Sequence, residues 1–238
     1  MLYTLVTGTD HGVGLALVKD LLCRGHFVVA CRMNPKEQQI DELLKDYQDR
    51  LRIIELDISD DVSVAAMKEQ VSSIVPYIDL LINDAGILGD MDKVLGADLD
   101  FNEMLDVINV NAVGTLRVTN ALSSLVVNSN QKTILNISSE AGSIEDCWRE
   151  GWFGYCMSKA ANNMQSALVH NNLRKVGGKV IVMHPGHVAT YMRGHLDTTA
   201  GLSADESAKA ILQVVLDREL PLGDRPLYID YRGEKLPW

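Results

Sequence analysis

Short runs of Val, Ile and Leu recur along this chain, separated by longer amphipathic stretches, and that alternation leaves few folds open. Leu2–Thr7, Phe27–Cys31, Leu51–Leu56, Ile78–Asn83, Thr133–Ile137 and Val180–His184 show little polar alternation. Such runs predict strands covered on both faces, as in a parallel sheet. Leu227–Ile229 predicts a short edge strand. Helical periodicity predicts Val13–Arg24, Pro35–Tyr47, Val62–Val75, Phe101–Val127, Tyr155–Val176 and Ala204–Leu216 as the connecting helices. Asp60 and Ser203 stand where helix caps are expected, and Gly177-Gly178 is a stop. Parallel strands joined by helices demand right-handed crossovers, so the predicted class is α/β. The expected form is a doubly wound sheet of about seven strands with helices on both faces.

At 238 residues, without linker, repeat or low-complexity segment, residues 1–238 are expected to form a single domain. A formal charge of −10 argues against nucleic acid or an anionic membrane as partner. The four cysteines, Cys23, Cys31, Cys147 and Cys156, show neither metal-pair spacing nor a disulfide framework. No apolar run is long enough to span a bilayer, and the first strand begins without a signal-like segment. A cytoplasmic protein is expected.

The first strand leads directly into Gly8-x-x-x-Gly12-x-Gly14 and a helix. Gly8 allows a sharp turn, Gly12 lets backbone approach a pyrophosphate, and Gly14 permits close helix–strand packing; the helix N-terminus then faces phosphate. Asn83-Asp84-Ala85-Gly86 ends the fourth strand at the carboxyl edge of the sheet, where ligands collect. Asp57 either accepts from an adenine amino group or opens its loop as a turn residue. Later come Ser138-Ser139 and Tyr155-x-x-x-Lys159. A spacing of four puts Tyr155 and Lys159 on one helix face, and an ammonium near the phenol lowers its reference pKa of about 10. Tyr155 then serves as a general acid or base at a carbonyl or alcohol oxygen, with Ser139 steadying the charge that develops there.

These ordered elements resemble the short-chain dehydrogenase/reductase family over essentially the whole length. The resemblance rests on Thr7-Gly8-x-x-x-Gly12-x-Gly14, Asn83-x-Ala85-Gly86, Asn111, Ser139, Tyr155-x-x-x-Lys159 and Pro185-Gly186-His-Val-Ala-Thr190. The Ser138–Ile144 run and the closing Tyr228–Trp238 look like the branch of small carbonyl reductases that includes sniffer-like and C-factor-like proteins. The family implies a Rossmann domain with NADP(H) along Gly8, His11, Gly12, Val13, Gly14, Arg32, Asp57, Ile58, Asn83, Ala85, Gly86, Pro185, Gly186, Val188 and Thr190. It implies Asn111, Ser139, Tyr155 and Lys159 as the catalytic set. Asn111 would support a water linking Lys159 to solvent, Lys159 would also hold the nicotinamide ribose, and Thr190 would bind the nicotinamide amide.

Three residues depart from the family pattern. Asp84 stands where a second asparagine is common, and Asp10-His11 replaces the usual small or basic residues of the glycine turn. Val29-Ala30-Cys31-Arg32 lacks the carboxylate that would bind a ribose 2′-hydroxyl. Arg32, with His11 as a second donor, favours a 2′-phosphate and hence NADPH over NADH. Trp148, Trp152 and Phe153 lie between the serine and the tyrosine, and Tyr191 opens a segment that could cover the site. These rings either line a pocket for an apolar or aromatic ketone, aldehyde or quinone, or simply pack their loop. His184 and His187 lack further ligands at metal spacing, which argues against zinc. A complete Ser/Tyr/Lys set favours an enzyme over the alternative, a cofactor-binding signalling or regulatory protein. Apolar excess at Val113, Leu116, Val118, Met164 and Leu168 predicts a homodimer or homotetramer.

Overall fold

The computed structural model describes residues 1–238. Its strands are β1 (Tyr3–Thr7), β2 (Phe27–Arg32), β3 (Leu51–Glu55), β4 (Leu80–Asn83), β5 (Thr133–Ile137), β6 (Lys179–His184) and β7 (Leu227–Asp230). All pair in parallel in the order β3-β2-β1-β4-β5-β6-β7. The order reverses between β1 and β4, which opens a crevice at the carboxyl ends of those two strands. The helices are α1 (Gly12–Cys23), α2 (Leu44–Tyr47), α3 (Asp61–Ile74), α4 (Phe101–Ile108), α5 (Thr115–Val127), α6 (Phe153–Leu173) and α7 (Ala204–Asp217).

Two apolar layers sandwich the sheet. On one face α1 and α7 bury Leu17, Leu21, Ile211 and Leu212 against Val6, Val28 and Ile181. On the other, α3 and α5 bury Met67, Val71, Val118 and Leu122 against Leu5, Val29 and Leu81. Residues of one strand alternate between the two layers, as Leu5 and Val6 show, which explains why the central strands carry Val, Ile and Leu on both faces.

The expected caps form. Asp60 accepts from Val62 and Ser63 N–H groups, while Ser203 and Glu206 make a reciprocal capping box at α7. Gly177, at φ +81°, ends the helical run after α6.

Two helix expectations need correction. Pro35–Tyr47 is mostly turn, with a short 3₁₀ turn at Asp41–Leu43 leading into α2. Asn34 Oδ1 accepts from Lys36 N–H, so local side-chain bonding competes with helix there. Phe101–Val127 is not one continuous α-helix. A π-helical segment, Asn109–Gly114, separates α4 from α5 and buries Asn111 against Ile87 and Ser158. Gly114 passes so close to Ile58 that an added Cβ would lie 2.9 Å from the Ile58 carbonyl oxygen.

Candidate active site

One cavity of about 980 Å³ follows the crevice from the N-terminus of α1 to the loop before α6. Gly8, His11, Gly12 and Val13 line its first part, with Leu56, Asp57 and Ile58 beside them. Ala85 and Gly86 line the middle, and Ser139, Tyr155, Lys159, Pro185, Gly186, Val188 and Thr190 the far part. Residues far apart in sequence therefore converge as expected.

The glycine turn is built by close contacts. At Gly8, φ is +73° and an added Cβ would sit 2.7 Å from Ala85 Cα, so this glycine allows contact with the β4 turn as well as the bend. At Gly14 an added Cβ would meet the Gly8 carbonyl oxygen at 2.2 Å. Gly14 itself stays behind the lining and lets α1 pack on the turn. No side chain caps α1 at His11, and its first turn carries no acidic residue. Free N–H groups there suit an anion. Asp10 does not oppose it, since its carboxylate turns away and accepts from the N–H groups of Met33 (3.0 Å) and Asn34 (2.6 Å). It thereby fixes the loop after β2. A phosphate-bearing dinucleotide fits this donor set.

Thr7 Oγ1 accepts from both Asp84 and Ala85 N–H, tying the β1 and β4 ends together. Asn83 is a core residue rather than a lining one, with its Nδ2 donating to Thr119 Oγ1 (3.1 Å) and Asn136 Oδ1 (2.8 Å). Asn111 also lies behind the cavity wall. Its amide clamps both backbone groups of Ile87 and donates to Ser158 Oγ at 2.9 Å. Gly86 is close by, where an added Cβ would lie 3.0 Å from Asn111 Oδ1 and 3.8 Å from Lys159 Nζ.

Tyr155 and Lys159 share one face of α6, but the expected electrostatics need correction. Lys159 Nζ sits 5.6 Å from the Tyr155 ring centroid and donates to the Ile137 carbonyl at 3.0 Å. Burial pushes the Tyr155 phenol well above its ordinary value, with a bond to Ser139 working the other way. The phenol therefore keeps its proton near neutrality. Burial also brings Lys159 down to about 8, while Asp84 acts in the opposite sense. Asp84 is itself lifted to about 7 by desolvation, against the pull of Lys159 and the Gly14 N–H. The acid in place of the usual asparagine is thus electrically coupled to the lysine.

Ser139 Oγ accepts from Ala141 N–H at 3.1 Å and donates to Glu140 Oε2 at 2.7 Å. The Ser139 carbonyl accepts from the Tyr228 hydroxyl at 2.6 Å, and Tyr228 packs on Trp238 with ring centroids 5.0 Å apart. The C-terminal strand thus steadies the serine loop from 89 residues away, a role that no local pattern announces. Glu140 and Arg149, not singled out in sequence, also line the cavity.

Several expected positions fall outside the lining. Arg32 ion-pairs with Asp41 at 2.5 Å and donates to the Glu37 carbonyl at 3.3 Å, leaving its buried Nε without a partner. Phe153 faces a separate small pocket with Leu99 and Met104, and Tyr191 is exposed and absent from the wall. Trp148 and Trp152 do border the cavity, yet they are stacked on Arg149 rather than presenting two free aromatic walls. The segment after Thr190 is tied back by Asp197, whose N–H donates to the Thr190 carbonyl and whose carboxylate meets His187 Nε2 at 3.0 Å.

The arrangement has counterparts. A family model described as short chain dehydrogenase matches residues 3–201. The C-signal protein of Myxococcus xanthus is 34% identical over 161 residues, covering 68% of this chain and 93% of that protein. The structure of NADPH-bound carbonyl reductase from chicken fatty liver is 29% identical, with a TM-score of 0.88, covering 100% of this chain and 94% of the other. Carbonyl reductase Sniffer of D. melanogaster, 24% identical, shares the fold at a TM-score of 0.90 over the full length of both chains. With its glycine turn, its Ser139/Tyr155/Lys159 set and a family match over most of its length, the chain belongs to the short-chain dehydrogenase/reductase family of oxidoreductases.

Proposed function

We propose that this protein is an NADPH-dependent reductase of apolar or aromatic ketones, aldehydes or quinones, with Tyr155 as proton donor. The observation that carries the reading is Tyr155 buried beside Ser139 and Lys159, at the opposite end of one cavity from an uncapped helix N-terminus. Gly8, Gly12, Lys159 and Thr190 line the cavity where a nicotinamide dinucleotide would be held, and that cofactor would supply the hydride for a carbonyl carbon. Tyr155 gives its proton to the oxygen as charge develops, and Ser139 orients that oxygen. Lys159, close beneath the Tyr155 ring, is placed to resupply the proton, with Asn111 fixing the Ile87 backbone and the Ser158 hydroxyl around it. Initial rates of NADPH oxidation over a panel of aldehydes, ketones and quinones test the reading; catalytic oxidation with at least one class is expected.

A pH dependence follows from Lys159. Its depressed pKa means that the charged form is lost early, so reduction should slow as pH rises through about 8. Asp84 favours the ammonium, and Asp84→Asn should therefore move this limb to lower pH. An unchanged or upward-shifted limb in a pH series of kcat/KM counts against the relay.

NADPH preference is supported by the lack of a carboxylate on the β2 end, the partnerless Nε of nearby Arg32 and the NADPH in the chicken reductase. Arg32 must leave Asp41 to reach a 2′-phosphate. On this reading Arg32→Asp lowers kcat/KM for NADPH about tenfold or more and relatively favours NADH, since a charge-assisted contact is replaced by repulsion. Equal or better efficiency of wild type with NADH overturns the preference. A homodimer or homotetramer is proposed through Phe101, Leu105, Leu116, Met164 and Leu168, all exposed on α4, α5 and α6. Val118 is excluded from that surface because it is fully buried in the core. A monomeric mass by light scattering at micromolar concentration argues against assembly.

The similarity to C-signal favours a second reading, a cofactor-binding signalling or regulatory protein with little turnover. Tight NADPH binding without oxidation across the panel would select it.

A further inference from the structure

Ser139 has one hydroxyl proton and two acceptors that require it. In the structure that proton goes to Glu140 Oε2 at 2.7 Å, while Ala141 N–H uses one of the oxygen lone pairs. Glu140 stays ionised: partial burial raises its pKa, but the Ser139 bond, His184 and Arg149 outweigh that and hold it below the ordinary carboxylate value. An ionised carboxylate has no hydrogen to give, so the direction of the Ser139–Glu140 bond is fixed. Carbonyl reduction needs the same Ser139 proton on the substrate oxygen, where charge builds during hydride transfer.

The other Glu140 oxygen accepts from Arg149 Nη2 at 2.5 Å. Arg149 is held firmly, with its side chain only 8% exposed and its guanidinium 4.6 and 4.7 Å from the Trp148 and Trp152 ring centroids. The Glu140 side chain is 41% exposed, which makes it the movable member of the pair. Its carboxylate is shared between a hydroxyl that must be released and a guanidinium that stays in place.

We infer that Glu140 is a positioning residue that holds the Ser139 hydroxyl away from the substrate oxygen, and that Arg149 draws on the same carboxylate and so releases Ser139 for the carbonyl. This rests on the carbonyl reductase reading above. The role of the aromatic pair is then to fix Arg149 rather than to form the substrate walls by themselves. Two substitutions on one ion pair should act in opposite directions, an outcome that a simple stabilising salt bridge does not produce.

The test uses the intact protein with NADPH and para-nitrobenzaldehyde. Glu140→Gln keeps the shape but weakens the hold on Ser139, and kcat/KM for the aldehyde should rise about three- to tenfold. Arg149→Met leaves Glu140 to Ser139 alone and should lower kcat/KM by a similar factor. KM for NADPH should be unchanged in Glu140→Gln, because that change touches the serine end only. In a Ser139→Ala background, measured in single turnover at high enzyme concentration, Glu140→Gln should have no effect. A Glu140→Gln protein that is unchanged or slower, a change of equal size without Ser139, or the same direction of effect at both residues overturns the inference while leaving the reductase reading intact. A wild type inert with every carbonyl overturns both.

Discussion

Tyr155→Phe is expected to lose about 10²–10⁴-fold of turnover while still binding NADPH, because only the transferable proton is removed. The ring can keep its edge-on contact with Trp152, 6.2 Å away, and its face toward Lys159. Folding should be little affected. The phenol is buried and held protonated, so it enters the reaction already as the acid that a reduction needs. Steady-state rates together with a fluorescence titration of NADPH separate the two effects. Near-normal turnover in the purified variant would remove Tyr155 from the mechanism.

Gly14→Ala should have the largest effect on the fold for the smallest chemical change. Alanine normally favours a helix over glycine by about 1 kcal/mol, so an open site would gain stability. Here the added methyl would lie 2.2 Å from the Gly8 carbonyl oxygen and 2.8 Å from Asp84 Oδ2. Neither the Gly8 carbonyl nor the turn carrying it yields easily, since Gly8 is itself pressed against Ala85. Overpacking against backbone predicts a net loss of about 3 kcal/mol, or roughly 6–12 °C in Tm for a chain of this size. NADPH affinity should fall at least about tenfold because the displaced turn supplies the phosphate donors. A thermal melt of the variant that matches or exceeds wild type contradicts this packing.

The features legible in sequence were those carried by local pattern. Thr133–Ile137 reads as a strand because Ile134 and Leu135 put apolar side chains on both faces, and it forms β5 with the same bounds. Gly8, Gly12 and Gly14 announce the turn by spacing, and Tyr155 and Lys159 announce a shared helix face. What escaped depends on contacts between distant segments. Sequence spacing predicts that the Lys159 ammonium lowers the Tyr155 pKa, yet burial dominates and the ammonium addresses the ring and Ile137 instead. Arg32 looked free as a phosphate ligand, but Asp41, nine residues later, reaches it from the 3₁₀ turn that replaced the expected helix. Phe153 sits next to the catalytic stretch in sequence but turns toward Met104. Asp10, which replaces a usual residue of the glycine turn, organises the loop after β2. Glu140 carried no signal at all, since its importance lies in which hydroxyl it meets.

The most direct measurement is isotope transfer from NADPH deuterated on the hydride-donating face of the nicotinamide. Wild type incubated with the labelled cofactor and an aromatic aldehyde should place deuterium on the carbonyl carbon of the alcohol, detected by mass spectrometry. Tyr155→Phe should form the same labelled product about 10²–10⁴-fold more slowly. Labelled alcohol from wild type at a rate that Tyr155→Phe matches, or no labelled alcohol from any carbonyl although NADPH binds, would contradict a reductase that works through this tyrosine.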